Sequence, residues 1–274
     1  MKKILVPTDF SDEAENALKV AALLAKKFDA EIVLTHVLEL PLQQLKGMSS
    51  QSELPEAMFF MQLASNRFDD VLENDYMQDI TVHKHVEYNR ALGKIDDICQ
   101  EFGIDMIVMG SHGADGFKEM FIGSNAEKVV RISKVPVLVI KNEHTDFSVR
   151  HFVFASDFKK DNKETFIQAS KFAEALGAKL HLLMVITANN FLTTNEAQQN
   201  ISTFIENAPF ENFTVNIYND ETVEAGILNF AKTIDADLIG ISTHGRQGIA
   251  HFFNGSISED LVNHAKRPVM TFKI

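Results

Sequence analysis

Residues with the chemistry to hold a phosphate group are concentrated in one stretch of the chain. An apolar run at 106–109 predicts a strand buried on both faces, and it ends at Gly110. A loop containing glycines follows and closes at Gly123, directly before a helical pattern. Ser124 and Glu127 have the Ser-x-x-Glu spacing of a capping box, which predicts that Ser124 begins and caps that helix.

Strand, glycine loop and helix N-terminus together form an arrangement that binds anions. Unpaired N–H groups and the positive end of the helix dipole face the anion, and glycines let the backbone approach it. The spacing Gly110-x2-Gly113-x9-Gly123-Ser124 matches neither the Walker loop nor the dinucleotide fingerprint. Taken alone, the stretch is equally compatible with a phosphate site and with a glycine turn before an ordinary capped helix.

Composition limits the partners that the chain can have. Its 274 residues suggest two domains, and its net charge of −12 disfavours nucleic acid or an anionic membrane as a partner. Any phosphate site must therefore be local. Cys99 is the one cysteine, so a reducing compartment fits. The chain has no apolar run of ~20 residues and no signal-peptide pattern at its start, so we expect a cytoplasmic protein.

The elements that must position the glycine loop alternate between strand and helix. Predicted strands of the first half cover 4–6, 31–38, 80–88, 106–109 and 135–140, and predicted helices cover 14–28, 56–73, 95–102 and a segment from 124. This order predicts a parallel sheet with helices on both faces and a ligand crevice at the carboxyl ends of the strands. Asp9 follows the first strand and Gly110 ends the fourth, so both should face that crevice.

Several local expectations follow from the same reading. Ser11 or Asp12 should cap the first helix, residues 40–55 should form a long loop, and the Met and Phe stripe at 58–68 should be core. Cys99 should be an inert core residue. Pro136 lacks an N–H, so its strand suits a sheet edge. His83 and His85 have no accompanying ligand cluster, so no metal site is predicted.

After a polar linker at 142–150, the pattern of the first half begins again. The matching segments are 3–9 with 151–157, 31–38 with 179–186, 105–113 with 237–245, and 123–127 with 255–259. A repeat of this length indicates a duplicated domain, dividing the chain into 1–141, the linker, and 151–274. We expect the last strands, 135–140 and 269–273, to pair or pack across an internal pseudo-two-fold axis, which would protect their open edges.

These motifs make the chain similar to a tandem universal stress protein. The resemblance covers nearly the whole chain and rests on ILVPTDFS at the start, the strand–helix order, and G-x2-G-x9-G-S in the first half. It implies two tandem, open, parallel five-stranded sheets of the Rossmann-like, adenine nucleotide alpha hydrolase-like type. It also implies a stress-response role and binding of ATP, ADP or AMP, with Mg²⁺ as a companion ion.

The resemblance also assigns site residues. In the first half, Pro7, Thr8 and Asp9 match the contact to the adenosine end, Val37 the adenine pocket, and Met109 and Gly110 the wall near the ribose. The phosphate cradle matches His112, Gly113, Gly123, Ser124 and Asn125. The alternative for Asp9 is that it caps the next helix, since Asp is a favoured cap.

The second half departs from this pattern. Ser242 replaces the first glycine, where a side chain would obstruct a close backbone approach or a positive φ, and Ala155 replaces Pro7. The remaining counterparts are Asp157, His244, Gly245, Gly255 and Ser256. We therefore expect the first half to bind ATP and the second to bind weakly or to serve as a pairing partner.

Two alternatives to a nucleotide-binding regulatory protein stay open at this point. One is a nucleotide-independent interaction protein in which the glycine loop is only structural, and the other is a slow ATPase. The sequence has no nucleophile elbow and no Walker lysine, so no catalytic residue is assigned. Whether two chains associate as a homodimer is not encoded in any motif.

Overall fold

The computed structural model describes residues 1–38, 54–88, 95–112, 123–206, 208, 210–243 and 261–274, for 54–57 and 88 the backbone only. The strands are β1 (Lys3–Thr8), β2 (Glu31–Leu38), β3 (Val82–Tyr88), β4 (Met106–Gly110), β5 (Val137–Ile140), β6 (His151–Ala155), β7 (Lys179–Ile186), β8 (Phe213–Asn219), β9 (Leu238–Thr243) and β10 (Val269–Lys273). The helices are α1 (Asp12–Phe28), α2 (Leu54–Leu72), α3 (Ile95–Phe102), α4 (Ser124–Ile132), α5 (Lys163–Leu176), α6 (Thr194–Ile205) and α7 (Val223–Thr233). Residues 40–53 of the predicted loop at 40–55 lie outside the described residues. Helix α2 begins at Leu54.

All strands belong to one ten-stranded sheet in the order β3-β2-β1-β4-β5-β10-β9-β6-β7-β8. The predicted α/β architecture is confirmed, but the two expected five-stranded sheets are joined into one. Every neighbouring pair is parallel except β5 with β10, which are antiparallel. The prediction that Pro136 marks a sheet edge is wrong, because β5 lies between β4 and β10. Pro136 precedes the strand, and its carbonyl accepts from Ile107 N at 2.9 Å.

One helical layer covers each face of the sheet. The first apolar layer contains buried residues of α1, α2, α5 and α6, and the second contains those of α3, α4 and α7. Each fully buried aliphatic or aromatic side chain contributes about 1.5–3 kcal/mol to folding. Cys99 belongs to the second layer, and burial raises the pKa of its thiol to about 12, as expected of an inert core cysteine. Among the helices that the structure describes, none is long and apolar enough to cross a membrane.

The Met and Phe stripe of α2 is only partly in the core. Phe68 is buried, whereas Met58 and Phe59 are 67% and 64% exposed, and Met61 and Leu63 are exposed as well. The expectation of a continuous core stripe is therefore wrong. Ala64 is buried and Val71 and Leu72 are partly buried, three or four residues from Phe68, whereas the exposed residues of the stripe lie nearer the start of α2.

The predicted pairing of the last strands is confirmed by the β5–β10 ladder. Val139 faces Val269, Leu138 faces Met270, and Val137 faces Thr271. Leu138 and Met270 hold the same position in the two repeats, so a pseudo-two-fold axis passes through their pair. The strands that would be open edges of the two halves are thereby covered by each other.

Two equivalent lysines reinforce this junction. Lys141 Nζ, just after β5, donates to the carbonyl of Asn263 in a helical turn of the second half. Lys273 Nζ, at the end of β10, donates to the carbonyl of Arg131 in the last turn of α4 at 2.9 Å. Carbonyls at a helix C-terminus lack intrahelical partners and carry the negative end of the dipole. Each half therefore satisfies a helix end of the other.

Burial of this junction predicts a specific pH dependence. Desolvation lowers the pKa of the Lys141 ammonium to about 8, whereas an unfolded lysine titrates near ~10.4. Between these values the unfolded chain binds more protons at this site, so the site's contribution to the free energy of unfolding rises with pH. In urea denaturation, the stability of the wild type relative to Lys141→Gln should increase from pH 8 to pH 10.

The control for this measurement is Lys171→Gln, which alters an exposed lysine of α5 away from the junction. Its stability difference from the wild type should stay level over the same interval. A level difference for Lys141→Gln as well would contradict the buried environment of Lys141.

Candidate functional site

The predicted site residues of the first half follow three neighbouring parallel strands. Asp9 comes directly after β1, Val37 is the penultimate residue of β2, and Gly110 ends β4. Because β1 lies between β2 and β4, all three residues are at the same edge of the sheet. The chain reverses its direction of strand addition between β1 and β4, which is where open α/β sheets bind ligands.

Pro7 ends the hydrogen-bonded ladder between β1 and β4 early. The Lys3 carbonyl accepts from Asp105 N at 3.0 Å, so alternate residues of β1, including Pro7, face β4. Pro7 has no N–H to donate, and the β1–β4 register stops at Leu5. In the second half Ala155 takes this place, and the β6–β9 register includes it. The crevice beside β1 therefore opens two residues earlier than its counterpart.

A strained turn holds Asp9 at the edge of this crevice. Asp9 Oδ1 accepts from Ser11 N at 3.1 Å and from Ser11 Oγ at 2.5 Å. Phe10 has φ of 63°, which costs a non-glycine residue about 1–2 kcal/mol, and its N–H donates to Thr8 Oγ1. Ser11, not Asp9, is the N-cap of α1, because its side chain accepts from Ala14 N. The exposed Asp9 carboxylate belongs to the turn rather than to the helix cap.

The aromatic rings of Phe10 and His36 support the turn, and the sequence analysis did not identify either residue. The Phe10 ring contacts His36 at 4.8 Å and Phe68 at 5.3 Å between centroids. His36 Nδ1 donates to the Thr8 carbonyl at 2.7 Å. The one available signal was the Asp-Phe pair, which recurs as Asp157-Phe158 in the repeat. These contacts offset the energetic cost of the left-handed φ at Phe10 and fix the direction of the chain as it leaves β1.

The other side of the crevice is formed by the start of α4. The prediction that Ser124 begins α4 is confirmed, but the predicted capping box is wrong, because the N-cap is Gly123. Glu127 N donates to the Gly123 carbonyl at 3.1 Å, and Gly123 N donates to the Ser111 carbonyl at 2.7 Å. The helix therefore starts directly against the end of β4. Gly123 has no side chain to cap with, so the amides of the first turn, among them those of Ser124 and Asn125, have no side-chain acceptor in the described part of the chain.

His112 contributes an unpaired polar atom to this side. Its Nδ1 lies 2.8 Å from Ser111 Oγ, while its Nε2 is buried and has no hydrogen-bond partner among the described residues. Leaving a buried polar atom unpaired costs about 1–3 kcal/mol. An oxygen of a bound phosphate would satisfy this nitrogen together with the helix amides, so the residues present fit a phosphorylated ligand.

Gly110 is required by the packing of α1. A Cβ at this position would lie 2.8 Å from the carbonyl oxygen of Glu13 and 2.9 Å from its carbon. Its φ is not in the left-handed region, so positive φ does not explain the glycine. Met109 beside it is buried in the second apolar layer. The glycine is needed because helix α1 and strand β4 approach each other closely. The sequence analysis had attributed it instead to the close approach of a ligand.

Ser242 occupies the Gly110 position in the second half without conflict. Its Oγ lies 2.7 Å from Thr165 Oγ1 in the buried interior. A 3₁₀ turn at Lys160–Asn162 replaces the first turn of the helix there, so the helix starts later and leaves room for the hydroxymethyl group.

The second half repeats the aspartate turn, but the carboxylate of its aspartate has different hydrogen-bond and ion-pair partners. Phe158 has φ of 55°, and its N–H donates to Ser156 Oγ. Asp157 Oδ1 accepts from Lys159 N at 3.1 Å and from Asn162 Nδ2 at 2.5 Å. Asp157 Oδ2 lies 3.1 Å from Lys159 Nζ. The remaining predicted site residues, Gly113 in the first half and His244, Gly245, Gly255 and Ser256 in the second, lie outside the described residues.

Comparisons with known proteins agree with this duplicated architecture. A model of the Universal stress protein family matches residues 1–141 and again 148–273. Universal stress protein MJ0577 of Methanocaldococcus jannaschii is 28% identical over 53% of this chain and 97% of its own length. Universal stress protein Slr1230 of Synechocystis is 22% identical over the whole of both chains. A crystal structure of a universal stress protein from Archaeoglobus fulgidus superposes with a TM-score of 0.74 at 23% identity, covering 99% of this chain and 98% of that one.

The contact of Gly110 with α1 gives a stability prediction. Gly110→Ala places a methyl group against a backbone carbonyl that cannot rotate away, which should lower the free energy of unfolding by about 1–3 kcal/mol. The matched change, Ser242→Ala, removes one buried hydrogen bond and should cost about 1 kcal/mol or less. Urea denaturation of both variants compares the two sites. A Gly110→Ala protein as stable as the wild type would show that α1 does not require the glycine.

Proposed function

Because the chain belongs to the universal stress protein family, we propose that its first half binds an adenine nucleotide and that the protein is regulated by this occupancy. ATP is the proposed ligand, with ADP or AMP as related occupants. The observation that carries the proposal is the start of α4, which lies against the end of β4. Within the described part of the chain, its first turn has no side-chain cap and the His112 Nε2 has no hydrogen-bond partner.

Each end of the nucleotide has a proposed counterpart in the crevice. The Asp9 carboxylate would accept from ribose or base donors, and Val37 would form an apolar wall for the purine. The amides following Gly123 and the His112 ring would receive phosphate oxygens. In this arrangement the Asp9 carboxylate would contact the adenosine end of the nucleotide, away from the phosphates, so that repulsion between like charges is weak.

Electrostatics supports a site made from backbone groups. The net charge of −12 provides no general attraction for a polyanion, so the affinity must come from oriented amides and the helix dipole. Such a site binds phosphates without a lysine-rich surface. The proposed role is binding and regulation because the sequence has no Walker lysine to support phosphoryl transfer.

The test is the nucleotide content of the full-length protein. Purified protein is denatured, and the released nucleotides are separated and quantified with and without added Mg²⁺. About one adenine nucleotide per chain is expected, and saturating ATP should raise the free energy of unfolding by about 2.7 kcal/mol at a hundredfold excess over Kd.

Matched variants assign the nucleotide to one half. Gly113→Val changes the second glycine of the first-half motif, and Gly245→Val makes the equivalent change in the second half. We expect loss of nucleotide only from Gly113→Val, because a side chain there would obstruct the phosphates. Loss from Gly245→Val alone would reverse the assignment. Absence of nucleotide and of ATP binding in the wild type would support an interaction protein with a structural glycine loop.

A further inference from the structure

A cavity of about 1120 Å³ lies in the second half, at the carboxyl ends of β6 and β7. It is bounded by the aspartate turn after β6, by the last residues of β7, and by one side of α6. Small-molecule pockets typically enclose ~300–1,000 Å³, so this cavity has room for a ligand of substantial size.

The walls of the cavity are mainly apolar. Its lining includes four consecutive residues of β7 and two phenylalanines, which are Leu183, Met184, Val185, Ile186, Phe158 and Phe204. All six are buried in the folded chain. Phe191, also in the lining, is 73% exposed, which places a large apolar ring where the cavity meets solvent.

The segment that connects β7 to α6 is held in place by its own hydrogen bonds. Asn190 Nδ2 donates to the Val185 carbonyl at 3.0 Å, and Asn190 Oδ1 accepts from Thr187 N and Oγ1. A capping box between Thr193 and Glu196 then starts α6. The described segment between β7 and α6 that borders the cavity is therefore held by hydrogen bonds within the chain.

Positive charge is concentrated at one side of the cavity. Lys159, Lys160 and Lys163 line it, and Asp157 is the one acidic residue among the described lining residues. Lys159 pairs with Asp157, and Lys163 Nζ donates to the carbonyls of Phe204 and Glu206 at 2.7 and 2.9 Å. Lys160 has no ion pair with a described residue. This local excess of positive charge contrasts with the acidic character of the whole chain.

We infer that this cavity binds an amphipathic anion, namely an acyl chain that ends in a carboxylate or phosphate. The chain would lie against the apolar walls, and the headgroup would meet the Lys160 ammonium with support from its two neighbouring lysines. The mainly apolar lining of the cavity suits an acyl chain better than the sugar and phosphates of a nucleotide. This inference goes beyond the proposed function, since it concerns the other half and another ligand class.

The experiment uses cis-parinaric acid, a fluorescent fatty acid, titrated into the full-length protein. Fluorescence should saturate near one molecule per chain. Palmitate and lysophosphatidic acid serve as competitors with the two headgroups, and hexadecanol as the neutral analogue. The better of the two anions should displace parinarate at a concentration about tenfold lower than hexadecanol, and ATP should not displace it. Displacement by ATP at equal concentration would show a second nucleotide site and overturn the inference.

Variants of the cavity decide whether binding occurs there. Lys160→Glu reverses the unpaired charge and should weaken parinarate binding about tenfold. Thr203→Trp fills the cavity from an exposed position of α6 and should abolish binding, while circular dichroism confirms that the variant is folded. Lys171→Gln is the control and should bind as the wild type does. Unchanged binding in both cavity variants would overturn the inference. The nucleotide proposal is tested separately, by Gly113→Val in the first half. The failure of one proposal therefore does not affect the test of the other.

Discussion

The antiparallel pairing of β5 with β10 is the contact on which the rest of the molecule depends. In either half alone, the last strand would be an apolar, open edge, which is a template for aggregation. Their pairing leaves β3 and β8 as the sheet edges and converts two small cores into two continuous helical layers. Lys141 and Lys273 then tie each half to a helix end of the other. Separating the halves would expose both strands and leave these carbonyls unpaired, so we expect them to unfold as one unit.

The two repeats share the features that build the scaffold and differ in those that line the proposed ligand sites. Asp105 Oδ2 accepts from the amides of Lys2 and Lys3 at the start of β1, and Asp237 Oδ2 accepts in the same way from the amides of Arg150 and His151 at the start of β6. The strained phenylalanine turn also occurs in both halves. At the crevice, by contrast, Ala155 replaces Pro7 and lengthens the strand ladder. The aspartate of the second half is held by its neighbours, and an apolar cavity lies beside it. The two repeats therefore have the same architecture, but the residues at the carboxyl ends of β1 and β6 differ.

The sequence predicts the architecture well because the relevant signals are periodic and repeated. Buried parallel strands appear as continuous apolar runs, and the duplication locates equivalent elements in both halves, including the two strands that pair. Predictions fail where one position depends on three-dimensional surroundings. Ser124 begins α4 as predicted, yet it does not cap the helix, because the N-cap is Gly123, whose N–H donates to the Ser111 carbonyl. The predicted edge at Pro136 assumed a free half, and the residues near the start of α2 are exposed although Phe68, further along the same helix, is buried. The roles of Phe10 and His36 and the lysine-lined cavity depend on contacts between distant segments, and the recurring Asp-Phe pair is the one local pattern that points to any of them.

The geometry of the β5–β10 junction also determines how two ligands can influence each other. Strands within each half are parallel, but the halves meet antiparallel, so the carboxyl ends of β1 and β6 point to opposite edges of the sheet. A ligand in the first-half crevice therefore cannot contact one in the second-half cavity, and their chemistries are free to differ. Because the halves share one sheet and both helical layers, however, a ligand in either site stabilises the folded state of the whole chain. Any stronger coupling requires an element with two arrangements that both ligands bias. The segment that joins the two sites in the sheet runs through the buried strands β4, β5, β10 and β9, whose close packing favours a single arrangement. If both proposals hold, the two halves are separate binding units that share one folded stability. A ligand in either site would stabilise the whole chain without changing what the other site recognises.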